Sequence, residues 1–348
     1  MRLLTFNLWH GLSPSSPVLF EALEPTARRR WREELQLQLF EKLDPDIGFF
    51  QEVNPAASRV EAFRERLGWN AEYQPDLVGL KVLGVGIPAN LNSGLVTATK
   101  KDWRQTWVDA ISLSRPGMNL VRRWASWQLK EERFALFSET LLPKWGKVLA
   151  VNTHLHHGIE ATEEFLADFE KLRVDLELPD AMVSEMKDRI VAGNERRARE
   201  LSVLLGHLKR LERRYEAVIM AGDFNARPNS EICNRLREMG FIDAWAKANG
   251  DLPGHTFDRE RNSANHLLQR GFPLSLVIED LSFSAKIRDQ LLAAAWDHEM
   301  RPRRIDYLWI KTRNIEIQVN KAELVGLPDQ EGMAPSDHFG VYAEVEPR

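Results

Sequence analysis

The chain opens on an alternation. In "RLLTFNLW" Leu3, Thr5 and Asn7 interleave with Leu4, Phe6 and Leu8, the period-two pattern of a strand. "PTARRRWREELQLQLFEKLDP" then places Trp31, Leu35, Leu39 and Leu43 at four-residue steps, which predicts a helix that Asp44-Pro45 stops. "DIGFFQEV" reads as a short apolar strand ending in Gln51-Glu52, and "PAASRVEAFRERLGW" as a helix with Gly68 near its end. Beyond a Gly-rich stretch, "SGLVTATK", "RWASWQLK" and "GKVLAVNTH" read as strands. Residues 159–213 are charged and largely helical, with Ala198, Leu201, Leu205, Leu208 and Leu211 on one apolar face. "EAVIMAGDFN" is the next buried strand, and "SEICNRLREMG" a short helix. "RRIDYLWIK", "IEIQV" and "HFGVYAEVE" supply the closing strands. Strands in both halves with helices between them describe an α/β sandwich with mixed sheets. No repeat or low-complexity linker divides the chain, so a single domain over 1–348 is expected, with a helical insertion at about 159–195.

The strands finish or begin in polar groups that a purely structural strand does not need. Asn7 follows "LLTF", Glu52 follows "GFFQ", and His154 follows "LAVNT". Asp223 and Asn225 follow "VIMAG", Asp306 precedes "YLWI", and Asp337-His338 precede "FGVY". Each has an ordinary explanation alone: an Asx-turn for Asn7 or "GDFN", a solvated Glu52, a satisfied half-buried His154, an ion pair of Asp306 with Arg304 or Lys311. Needing all of these at once is the weaker account. If the strand ends meet on one rim, mutually repelling carboxylates there require a cation. Oxygen ligands with neighbouring amides fit Mg²⁺, with Mn²⁺ as the alternative, better than zinc.

Composition narrows the setting. Hydrophobic residues are 43% and charged residues 28%, as in a globular chain. The single Cys233 excludes an intramolecular disulfide and a Cys-based zinc site, which suits a reducing compartment. "MRLLTFNLWHG" is too short in apolar residues for a secretory h-region, and no run approaches a membrane span, so a soluble, cytoplasmic protein is expected. The net charge of −4 signals no general attraction to polyanions. The basic runs "ARRRWR" and "RPRR" read as solvated helix faces or loop edges rather than binding patches.

Taken in order, "TFNLW", "FFQEV", "NTHLH", "GDFNARPNS", "RIDYLWI" and "PSDHFGV" resemble the endonuclease/exonuclease/phosphatase superfamily, the metal-dependent phosphoesterases of DNase-I-like fold. The resemblance implies a four-layer sandwich, two mixed sheets flanked by helices, with the site at one end. It implies that Glu52 holds the divalent cation with Asn7 nearby and Asp337 in support. Asp223 would orient or deprotonate the attacking water, and Asn225 would hold the nucleophile or a phosphate oxygen. His338, polarised by Asp306, would contact the scissile phosphate, and His154 would be a second phosphate-side donor. The metal and the imidazolium would supply the electrostatic part of a phosphodiester hydrolysis.

Within the superfamily, "NTHLHHG", "IDAW" and "GHTFDRERN" are most similar to neutral-sphingomyelinase-type phospholipases C, without their C-terminal hydrophobic helices. A phospholipid head group is therefore the preferred substrate, with peripheral membrane contact. The alternative is a nucleic-acid phosphodiesterase, since "DAW", "HTFDRERNSAN" and "PSDHFGV" are also similar to 5′-tyrosyl-DNA phosphodiesterases, and "NTHLH" and "GDFNARPNS" to deadenylases. An inactive scaffold is the third reading. "LVGLKVLGVGIPANLN" (77–92) reads as a mobile lid or lipid-contacting loop, or else as a buried hairpin. The tryptophans at 107, 124, 127, 145 and 245 are read mainly as core.

Overall fold

The structure, a computed structural model, describes all residues except 17–18, 23, 83–84, 115–119, 122–124, 128–131, 159, 176, 263–300 and 331. The first half runs β1 (Arg2–Asn7), β2 (Leu12–Ser16), β3 (Leu19–Ala22), α1 (Thr26–Leu43), β4 (Ile47–Val53), α2 (Ala56–Leu67), β5 (Asn70–Val82) and β6 (Val85–Thr99). Then come β7 (Gln105–Ser112), β8 (Leu120–Val121), β9 (Ala125–Trp127), β10 (Phe134–Leu142) and β11 (Gly146–His154). Helices α3 (Glu163–Asp175) and α4 (Asp180–Leu211) lead to β12 (Ala217–Asp223), α5 (Glu231–Glu238), β13 (Ile242–Asp243) and α6 (Ala244–Asn249). The chain closes with β14 (Asp306–Thr312), β15 (Ile317–Val325) and β16 (Gly340–Pro347).

Two mixed sheets result. One is ordered β15-β16-β1-β4-β6-β5-β9-β8, the other β13-β14-β12-β11-β10-β7, and β2 and β3 pair separately. β1 lies parallel to β4 and antiparallel to β16, while β11 lies parallel to β12, which is antiparallel to β14. The central strands are apolar on both faces because both faces are covered. On β11, Val148 and Ala150 face the other sheet, in one cluster with Leu3 and Phe49 of that sheet and Ile219 and Leu308 of their own; Leu149 and Val151 face outward onto Leu201, Leu205 and Leu208 of α4. On the other sheet, Leu4, Phe6 and Phe50 turn outward onto Leu37 and Phe40 of α1 and Val60 and Phe63 of α2. Helix, sheet, sheet, helix is the four-layer arrangement expected from the sequence.

The buried face of α1 and the basic runs depart from expectation. The buried face of α1 is Arg32, Gln36, Leu37 and Phe40, and Trp31 is 36% exposed. The helix is rotated away from its leucine row because its polar side chains have buried acceptors. Arg32 pairs with Glu24 and donates to the Leu8 carbonyl, and Gln36 donates to the carbonyls of Leu8 and Pro335. The basic runs are thus not merely solvated: besides Arg32, Arg304 forms a buried pair with Asp243 at 2.8 Å. Residues 77–92 fall on the β5–β6 hairpin, with Leu80 opposite Ile87 and Val82 opposite Val85. Residue 195 lies within α4, and α3 and α4 bury Phe165, Phe169, Val183, Met186 and Ile190. Trp145 and Trp245 are buried as expected and Trp107 is exposed, while Trp124 lies outside the described residues. Among the described residues no helix is long and apolar enough to cross a membrane.

Candidate active site

Strand register assembles the site. In the smaller sheet His154 of β11 stands opposite Asp223 of β12, and Asp223 stands opposite Asp306 of β14, so three polar residues form one row at the strand ends. In the other sheet Asn7 of β1 stands opposite Gln51 of β4. The sheets are tied directly behind this rim: Gln51 Nε2 donates to Asn152 Oδ1 at 2.8 Å, and Asn152 Nδ2 donates to the Phe50 and Val96 carbonyls. A fully buried amide pair is stable only when its donors are used, and here they are.

The backbone bends where the side chains must turn. β4 carries a register shift between Phe50 and Val53, and Glu52 within it has a φ of 54°, an uncommon conformation for a non-glycine residue. Asn225 also lies in the left-handed region, at φ 49°, which Asn tolerates. Gly222 has a φ of 144°, and a Cβ there would stand 1.8 Å from the Thr153 carbonyl oxygen. Only glycine lets β11 and β12 approach closely enough to set His154 beside Asp223.

The polar contacts then connect both sheets. Asn7 Nδ2 donates to Glu52 Oε1 at 3.0 Å and to Asp223 Oδ2 at 3.2 Å. Glu52 Oε2 accepts from the His10 amide at 3.1 Å. Asp223 Oδ1 accepts from the Asn225 amide, and Asn225 Nδ2 donates to the Leu155 carbonyl at 3.0 Å. His338 Nδ1 lies 2.9 Å from Asp306 Oδ2, and its Nε2 is 4.0 Å from Asp223 Oδ2. The amides of Ile305 and Asp306 donate to Thr256 Oγ1, and Ser336 Oγ donates to the Asn7 carbonyl and to Asp337. Every residue singled out in the sequence is therefore at this rim. Sequence reasoning missed His10, Gln51, Asn152, Thr256 and Ser336, which hold the others. It also missed Arg133, whose Nη1 meets His154 Nδ1 at 2.9 Å.

Electrostatics separates the members. Burial raises Asp223, and the Asp306 charge raises it further, to about 7. Burial opposes charge on His338, but Asp306 and Asp337 outweigh it and lift the imidazole to about 10. Burial and then the Arg133 charge hold His154 well below the ordinary histidine value, so it is neutral. At Glu52 burial works against ionisation, yet His10 and the Asn7 amide prevail and keep it a carboxylate. Burial raises Asp337, with Glu52 adding to it.

Asp223, Asp306 and His338 each offer a ligand atom, all within 4.8 Å of one another, and Asp306 Oδ1 is buried without a hydrogen-bond partner. An orphaned carboxylate oxygen beside a second carboxylate fits a divalent cation. Asp306 can therefore face a cation through Oδ1 while Oδ2 keeps its contact with His338 Nδ1.

Residues 4–338 match the profile of the Endonuclease/Exonuclease/phosphatase family. The chain belongs to this family. Its buried Asp/Asp/His cluster is the candidate metal-binding active site, as in hydrolases of the Endonuclease/Exonuclease/phosphatase family. No curated protein matches the chain significantly. Among solved structures, a functionally unknown conserved protein from Enterococcus faecalis V583 aligns over 100% of both chains at 18% identity and a TM-score of 0.56. D. rerio TDP2 complexed with single strand DNA product aligns over 99% of this chain and 98% of its own, at 14% identity and 0.54. The human Nocturnin catalytic domain with bound sulfate anion aligns over 100% and 93%, at 16% identity and 0.56. These likenesses show the fold of the Endonuclease/Exonuclease/phosphatase family in this chain.

Proposed function

We propose that the chain is a Mg²⁺-dependent phosphodiesterase acting on nucleic acid. The observation that carries the reaction class is the row His154–Asp223–Asp306 with charged His338 closing it, all buried at one set of strand ends. Glu52 and Asn7 would hold the cation, with Asp337 in support, and Asp223 and Asp306 complete the oxygen ligands that fit it. When bound, the cation supplies charge neutralisation and polarisation of a phosphoryl oxygen. Asp223 accepts the proton of the attacking water. Asn225, anchored on the Leu155 carbonyl, orients the nucleophile. His338 donates a charged N–H to phosphoryl oxygen, and Asp306 keeps it charged. His154 donates from the opposite side.

The substrate reading reverses the lipid preference drawn from the sequence. One support is the fold neighbour captured with single strand DNA product. Another is local: the Phe257 ring meets His338 edge-on at 5.0 Å, with the guanidinium groups of Arg303 and Arg259 at 4.6 and 5.4 Å from its centre. The half-buried Arg303 cation on this ring, beside the imidazole, suits a phosphate backbone. The lipid head group stands as the second reading, supported by the apolar sequence of the β5–β6 hairpin end.

The test is hydrolysis by purified protein with Mg²⁺, using Glu52→Gln as the control. Substrates are single-stranded DNA and RNA, a 5′-phosphotyrosyl oligonucleotide and sphingomyelin in mixed micelles. Nucleotide or tyrosine release, lost by about 100-fold or more in Glu52→Gln and abolished by chelation, is expected. Phosphocholine release alone would establish the lipid reading instead. Full Mg²⁺-dependent activity in Glu52→Gln would remove Glu52 from the metal site.

A further inference from the structure

Arg133 immediately precedes β10 and is 2% exposed, one of the largest fully buried side chains among the described residues. Its two terminal nitrogens reach different imidazoles. Nη1 lies 2.9 Å from His154 Nδ1, and Nη2 lies 2.9 Å from His157 Nδ1. A guanidinium has five N–H donors and no acceptor, and it keeps its charge when buried. At both contacts the imidazole nitrogen must therefore accept. A ring that accepts at Nδ1 carries its proton on Nε2, and His154 Nε2 is the atom that faces Asp223, 3.5 Å from Oδ2.

We infer that Arg133 is a positioning residue that fixes His154 and His157 as Nε2–H donors, through the paired Nη1···Nδ1 and Nη2···Nδ1 contacts. The inference rests on the phosphodiesterase reading for its catalytic meaning, but not for its geometry. His154 then offers an N–H, and no lone pair, to whatever anionic group sits against Asp223. It cannot take the proton of the attacking water, which leaves that step to Asp223. Removing Arg133 frees Nδ1 to take the proton, which turns a lone pair toward Asp223 and repels a phosphoryl oxygen there.

Both partners are held independently of each other. The Arg133 amide donates to Ser114 Oγ at 3.1 Å, and its carbonyl accepts from the Leu113 amide at 2.7 Å. The turn after β11 is clamped by α4: Glu200 Oε2 accepts from the His156 amide at 2.7 Å, and Arg197 Nη1 donates to the Gly158 carbonyl at 2.9 Å. The Leu155 amide donates to the Asp223 carbonyl at 2.9 Å. The backbone therefore has its own anchors when the guanidinium is removed, and the ring tautomer is the property that depends on Arg133.

The tautomer is read directly by long-range ¹H–¹⁵N correlation spectra of protein labelled at histidine, with His154→Ala and His157→Ala for assignment. In the wild type both rings should show protonated Nε2 and unprotonated Nδ1. Arg133→Met should shift His154 to the other tautomer or a mixture. It should lower kcat by about 10- to 100-fold, the scale for losing a partner that orients a site histidine, with a smaller change in KM. Arg133→Lys, which keeps one donor, should recover part of the kcat. In the His154→Ala background Arg133→Met should cost little more, because its effect runs through that ring. A wild-type His154 protonated at Nδ1 would overturn the inference, and that measurement needs no variant that might fail to fold. An unchanged tautomer in Arg133→Met would overturn it equally. If the protein hydrolyses none of the substrates above while the spectra show the Nε2–H rings, the phosphodiesterase reading fails and the positioning role stands.

Discussion

His154 and His338 approach the same carboxylate from two sides, their Nε2 atoms 3.5 and 4.0 Å from Asp223 Oδ2. Both are buried, and burial disfavours the imidazolium in both. They differ in what touches Nδ1. For His338 it is the Asp306 carboxylate, which accepts a proton's hydrogen bond and stabilises positive charge; for His154 it is the Arg133 guanidinium, which donates and opposes positive charge. One site thus contains a charged and a neutral imidazole donor, and the neighbour on the far nitrogen decides which is which. On a phosphoester at these strand ends the charged donor would gain more than the neutral one as negative charge builds on the phosphoryl oxygens, since charge-assisted hydrogen bonds are about twice as strong.

The sharpest way to break the comparison is to remove each ring. His338→Ala should lower kcat by about 10²- to 10³-fold, the cost of losing one strong donor to a developing oxyanion. A loss below about tenfold, on the order of 1.4 kcal/mol, would take His338 out of the chemistry. His154→Ala should cost less, about 10- to 100-fold, because a neutral donor is lost. Steady-state kinetics on one substrate settles the ranking. Should His154→Ala prove the more damaging of the two, the assignment of charge to His338 and neutrality to His154 would be untenable.

The two histidines also mark how far the sequence could be read. His338, Asp306, Asp223 and His154 were visible because each stands at the edge of an apolar strand run, where a polar side chain is out of place unless it works. Strand pairing then made a row of them, and the two-face burial of β1, β11 and β12 made the layers legible. Arg133 carried no such mark. It ends the charged run "KEER" before "FALF", and only the pairing of Ala135 with Thr153 brings that strand end beside the histidines. Gln51 and Asn152 were hidden for a similar reason: their use depends on two sheets facing each other, which no local window contains. In α1 the leucine spacing pointed to the wrong face because Arg32 and Gln36 gain more from the buried Glu24 carboxylate and the Leu8 and Pro335 carbonyls than the leucine row gains from fuller burial.

A smaller effect tests the His338 side without turnover. Asp223 and His338 both bind protons more tightly in the fold than at their ordinary values of 3.8 and 6.5. Each therefore stabilises the metal-free protein fully below its ordinary value. That stabilisation is lost as pH rises, through about 7 for Asp223 and about 10 for His338. The chelated protein should accordingly lose thermal stability between about pH 5 and pH 9, as repulsion between the carboxylates is uncovered. Mg²⁺ should return it: at a hundred times its Kd a ligand adds about 2.7 kcal/mol, which in a chain of this size is a Tm increase of roughly 3–6 °C. The increase should be larger at about pH 8 than at about pH 5, where protons compete for the same oxygens. Arg133→Met should keep this increment, because the guanidinium acts on His154 and His157, which lie outside the cluster of Asp223, Asp306 and His338, whereas Glu52→Gln should reduce it. Equal increments at both pH values would separate the cation from Asp223 and His338, and would place it on Glu52 without the cluster.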